Sequence, residues 1–251
     1  MFVSTYRAMR RPLNREASNN ARLHAFFMSM REVNYMRITK YIVYALAVLL
    51  LPILIVNFFP ILWWTVLHIK IYMWFMIGIL AYFLLRKIPF YAKNEEFLQT
   101  HSHELTHAIV GIIFLQEILS IESEKNRGVV WHRGGKFGGI FISLAPYCFP
   151  VFVYAVILFR IIGANSQLYV FDILIGLILG FYLLCFWKDT RLQQPDLQRY
   201  GPVCSMIFIV MMWFFHASLI LLCIRKGFVN AITYLFQQYW DTLVNWWNLI
   251  F

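Results

Sequence analysis

The sequence predicts an all-α polytopic membrane protein, and three observations carry that prediction. Of the 251 residues, 61% are hydrophobic and 14% charged, whereas soluble domains are about 45–50% apolar and about a quarter charged. Apolar runs long enough to cross a bilayer recur between short polar stretches. Basic residues also gather ahead of the first such run: Arg7, Arg10, Arg11, Arg15, Arg22, Arg31, Arg37 and Lys40, against Glu16 and Glu32. The expected architecture is about five transmembrane helices, a partly inserted helix, a short hairpin-like loop and a C-terminal interfacial amphipathic helix.

The first segment, 1–40, reads as a basic cytoplasmic arm facing anionic lipid. It is too long and polar for a cleaved signal peptide. The net charge of +10 is thereby a topology signal, with no nucleic-acid partner implied.

The membrane domain, 41–227, begins with the span 41–66, whose Pro52 and Pro60 are tolerable in a membrane helix. A short second span, 69–85, is closed by Arg86 and Lys87. The polar stretch "AKNEEFLQT" leads into "HSHELTH" and the apolar run "AIVGIIFLQEIL", expected to continue one helix from His103 to Leu119. The glycine-rich stretch 121–139 follows, in which "GVVWH" and "KFGGIFI" flank "RGG" as two arms of a hairpin. Further spans are expected at 140–159, 168–187 and 203–223. Cys148, Cys185, Cys204 and Cys223 show no paired spacing and read as buried free thiols. In the tail, 228–251, Asn230, Thr233, Gln237, Asp241, Asn245 and Asn248 recur every three or four positions among aromatics. That pattern predicts a helix with one polar face lying in the membrane surface.

The chemistry sits in "HELTH". On a helix, His103 and His107 lie about 40° apart and one turn apart in height, so two imidazoles can grip one metal ion. Glu104 stands beside them as a candidate general base. A chance match to this pattern arises on the order of once in a hundred such chains. His101 points about 200° away from His103 and is off the metal face. A site that keeps an open position needs a third protein ligand. Candidates are Glu117, Glu122, Glu124, His132, Asp172, Asp189 and Asp196. Glu117 is too far along the expected helix, and Asp172 sits at the wrong end of its span. Asp189 and Asp196 both follow the 168–187 span. If the motif helix dips into the membrane and returns, both aspartates share the cytoplasmic side with His103, and most basic residues obey the inside rule.

"HELTHA", the glycine-rich "GVVWHRGGKFGGIFISLAP", the next span and a late aspartate resemble the site-2 protease group of intramembrane zinc metalloproteases, peptidase family M50, especially its M50B-like branch. The resemblance covers about residues 95–205. It implies Zn²⁺ on His103, His107 and Asp196, with Glu104 as the base, and a membrane-embedded or juxtamembrane protein or peptide as substrate. It also implies an exposed strand edge that holds substrate extended. Better-known members carry the aspartate before glycine, after Asn-x-x-Pro; here Leu197 follows Asp196, so Asp189 stays an alternative, and the oxyanion-stabilising group has only His132 as a stand-in. The expected setting is a bacterial cytoplasmic membrane, with lipid as the other partner. The competing expectation is a non-catalytic membrane adaptor or degenerate peptidase with a structural metal site.

Overall fold

The computed structural model describes residues 15–125, 128–133 and 138–250, with side chains from residue 38 onward. The basic arm therefore falls almost wholly outside the described side chains. The chain divides into two units, 1–43 and 44–251. Helix α1 (Arg15–Leu67) begins in the first; everything below concerns the second.

The fold is mostly helical. After α1 come α2 (Met73–Leu85), α3 (Pro89–Ile113), the strands β1 (Glu117–Ser123) and β2 (Gly128–Arg133), then α4 (Gly139–Cys148) and α5 (Val151–Ile162). A 3-10 turn leads to α6 (Leu168–Asp189), the short α7 (Pro195–Tyr200), α8 (Pro202–Lys226) and α9 (Phe228–Ile250). Among the described residues, three helices are long and apolar enough to cross a membrane: Ile38–Leu67, Asn165–Asp189 and Pro202–Lys226. Two bent pairs raise the count to five if each is one span: α2 with α3, bent by 103°, and α4 with α5, bent by 79°.

Proline sets both bends. Ile88 is extended (ψ 124°) and Pro89 opens α3. Phe149 is extended (ψ 103°) ahead of Pro150. The residue before proline is driven out of the helical region, and the fixed proline φ then suits a new first turn. Helices α2 and α6 meet through glycine. A Cβ on Gly78 would enter the Ile173 carbonyl, and one on Gly176 the Phe75 carbonyl. Such small-residue contacts let backbones approach where lipid leaves no hydrophobic drive between helices.

Side-chain contacts sort the bundle into two ends. At one, the Tyr72 hydroxyl donates to the Leu221 carbonyl (3.1 Å) and Arg225 lies over the Trp64 ring. Arg160 pairs there with Asp172 (2.9 Å) and caps the Ile224 carbonyl. At the other end, buried Glu95 on α3 takes Arg86 and Lys188, which ties the α2–α3 elbow to the end of α6. The hairpin and α7 belong to this second end.

Two expectations are corrected. The motif helix stops at Ile113, not Leu119, because Leu115 adopts a left-handed φ of 58°. The amides of Gln116 and Leu115 then return to the carbonyls of Gly111 and Ile112, a Schellman closure made without glycine. The hairpin exists, but β2 pairs antiparallel with β1, with Ser123 opposite Gly128 and Glu117 opposite Arg133. The segment from Gly139, expected as its second arm, is the start of α4.

The tail is a helix, as its spacing predicts. Helix α9 packs back along α8 and makes a side-chain contact to α1. Ala231 and Leu235 are buried in the core with Leu219–Ile224, and Asn57 of α1 donates to the Thr242 hydroxyl (3.0 Å). Asn57 is a polar residue inside an apolar span, and this partner satisfies it. The four cysteines are free and buried, as expected.

Candidate metal centre

His103 and His107 ride the middle of α3 one turn apart, with ring centroids at 4.9 Å and planes at 73°. Both Nε2 atoms face one oxygen of Asp196: Oδ2 lies 3.8 Å from His103 and 3.6 Å from His107. All three donor atoms fall within 4.8 Å of one another. A tetrahedral ion with bonds of about 2.1 Å holds its ligands about 3.4 Å apart, so the spacing fits with little adjustment. The donor set, two imidazole nitrogens and one carboxylate oxygen, is one a catalytic zinc takes, and it leaves a fourth position open.

Each donor has a local cause. A proline in a helix cannot bond the carbonyl four residues back. Pro146, inside α4, thus frees the Ile142 carbonyl, and His107 Nδ1 donates to it at 2.8 Å. That bond fixes the tautomer and turns Nε2 toward the site. Asp196 is placed by Pro195, the first residue of α7, and by Leu197, which is fully buried with its carbonyl accepting from Ser205 Oγ (3.0 Å). The Tyr147 hydroxyl donates to Asp196 Oδ2 (3.2 Å), and Trp213 Nε1 anchors the Tyr147 carbonyl (2.9 Å). Burial pushes the Asp196 carboxyl up, but the hydrogen bonds and charge of His103 and His107 hold it well below the usual carboxylate range.

Glu104 is buried, at 8% exposure, on the wall of a cavity of about 640 Å³. The three donors open into the same cavity, as do Val130 and His132 of β2 and Arg199 of α7. Gly128, the first residue of β2, lies directly on the Glu104 carboxylate; any Cβ there would overlap it. The hairpin tip is hooked to α3 by Thr100 Oγ1, which donates to the Lys125 carbonyl (3.0 Å).

Among the candidates named from sequence, Asp196 alone joins the two histidines. Asp189 lines the cavity but is outside the donor cluster. Asp172 is paired with Arg160 at the far end, and Glu117 lies in β1. Glu122 and Glu124 are not in the cluster, and His132 is an exposed residue on the cavity wall. His101 is off the metal face, stacked on Phe97 with Nδ1 at 3.3 Å from Ser123 Oγ. Sequence reasoning missed Tyr147, Gly128 and the Ile142 carbonyl. Only the last had a signal, Pro146 four residues on. No family model matches this chain, and neither a curated protein nor a solved structure matches it.

Proposed function

We propose that this chain is an intramembrane zinc metalloprotease that hydrolyses peptide bonds of membrane-embedded or juxtamembrane substrates. The observation that carries the reading is the meeting of His103 and His107 with Asp196, 89 residues beyond His107 in the sequence, beside the buried Glu104 at an open cavity. Zinc at such a site lowers the pKa of water toward roughly 7 and polarises a scissile carbonyl.

The chain supplies the rest. Glu104 takes the proton of the attacking water and delivers it to the departing amine nitrogen, the general-base role its position beside both imidazoles suits. Its burial keeps bulk water from competing for that proton. Gly128 lets the β2 backbone come against Glu104, so a substrate strand beside β2 would run past the base. Backbone pairing demands little of side chains and needs an unwound, extended peptide. His132, on the same strand and on the cavity wall, is a candidate donor to a developing oxyanion.

Orientation follows from charge. The metal end of the bundle carries Arg86, Lys87, Lys93, Lys125, Lys188, Arg191 and Arg199, and by the inside rule it faces the cytoplasm, in the expected setting of a bacterial inner membrane. The test is metal content and turnover together. Purified chain should hold one zinc, lose it in Asp196→Ala, and cleave a membrane-anchored reporter in proteoliposomes. Absence of stoichiometric zinc from the wild type overturns the reading. Zinc retained with cellular function indifferent to Glu104→Gln would favour a structural site in an adaptor.

A further inference from the structure

His107 has a carbonyl to hold its Nδ1, but His103 has no hydrogen-bond partner for that atom among the described residues. Nε2 of His103 faces Asp196, so a metal-binding His103 carries its proton on Nδ1 and needs an acceptor there. A second cavity of about 10 Å³ is lined by His103, Gln99, Ser102, Tyr182 and Asp189 among others. That volume holds about one water, and a water there needs two to four polar partners. Gln99 supplies one: it is 8% exposed, it borders the cavity, and its Nε2 has no partner. Asp189 supplies a second, at the last residue of α6.

We infer that Asp189 is the positioning residue of His103, acting through one water in this cavity, with Gln99 as that water's other anchor. The water accepts from His103 Nδ1–H and from Gln99 Nε2–H, and donates to the Asp189 carboxylate. This completes a four-bonded arrangement if its second hydrogen meets the Tyr182 hydroxyl oxygen. The imidazole is thereby oriented and made a better donor, as carboxylate–histidine pairs do around zinc. The two aspartates that sequence spacing left interchangeable thus have different roles: Asp196 touches the ion, and Asp189 holds one of its ligands. The inference rests on the zinc reading proposed above.

The experiment is a competitive zinc titration of the full-length chain in detergent, read as dissociation constant, with unfolding temperature measured with and without zinc. Asp189→Ala and Gln99→Leu should each bind zinc about 10–100-fold and several-fold more weakly, respectively, with stoichiometry still one. Their metal-free unfolding temperatures should match the wild type, while the rise on adding zinc shrinks. Asp189→Glu, which keeps a carboxylate at the cavity, should recover part of the affinity. Wild-type affinity in Asp189→Ala overturns the inference and leaves the zinc site standing. Complete loss of zinc in that variant makes Asp189 a ligand and also overturns it. A wild type without zinc removes the site itself.

Discussion

Pro146 acts on the candidate metal centre through another residue. By lacking an amide hydrogen it leaves the Ile142 carbonyl open, and His107 takes it. Pro146→Ala would restore an N–H that competes for that carbonyl; zinc binding should weaken about tenfold, in the range seen when partners of metal ligands are lost. A zinc titration beside far-UV circular dichroism checks this, since an unchanged affinity refutes the role. Glu104→Gln keeps shape and zinc but cannot accept a proton, so turnover should fall at least about a hundredfold, as for loss of a general base. Gly128→Ala should lower turnover about tenfold or more with zinc content unchanged, because the new methyl must push either the hairpin or the Glu104 carboxylate off its position. At this scale the sequence was most informative where both partners sit in one helix. His103, Glu104 and His107 need only the 3.6-residue turn to be read. Asp196 was separable from Asp189 only by the turn Pro195 makes and by the burial of Leu197, which are tertiary facts. Tyr147 had no signal in the sequence, being one tyrosine among fourteen.

Elements were legible to the extent that their ends were marked. The prolines opening α3, α7 and α8 stand where helices begin. The end of α3 is different. Its apolar run continues unbroken, and the residue that must take the left-handed conformation is Leu115, where glycine is the usual choice. The sequence therefore predicts helix where β1 stands and gives the hairpin the wrong arm. A left-handed leucine costs roughly 1–2 kcal/mol, and Leu115 is almost fully exposed, at 92%. Leu115→Gly should therefore stabilise the fold by about 1 kcal/mol or less, after the glycine's larger unfolded-state entropy is subtracted. Thermal unfolding of the two proteins decides it; a lower midpoint in the glycine variant would contradict the geometry. Within the bundle, "GLILG" on α6 sets Gly176 and Gly180 one turn apart on the face meeting α2. That small-residue spacing is legible in the sequence; the helix it meets is a tertiary fact. Gly176→Leu should part α2 from α6 and lower stability by several kcal/mol, the scale of overpacking a tight core.

Across the whole chain, segmentation is legible in the sequence and the bending of the segments is not. Runs of apolar residues locate the helices, but bends of 103° and 79° decide how many of them cross, and those depend on the breaks at Pro89 and Pro150. The tail's polar stripe predicts its helix, while the donation from Asn57 of α1 to the Thr242 hydroxyl is a tertiary fact. What the bends achieve is placement of α3 and α7 at a common end. Lys125 and Gln193, which precedes Gln194 of the cavity wall, belong to the end with the three donors; Lys70 and Lys226 belong to the end with Tyr72 and Arg225. If α3 enters and returns, single cysteines at the first pair should react with an impermeant maleimide only from the side of the N-terminus, and those at the second pair only from the opposite side. The four native cysteines are buried and give a low background. Sealed right-side-out and inverted vesicles, labelled in parallel and quenched before solubilisation, separate the cases. Labelling of Lys125→Cys and Gln193→Cys from opposite faces would part His103 from Asp196 across the bilayer, and no single ion could then join them.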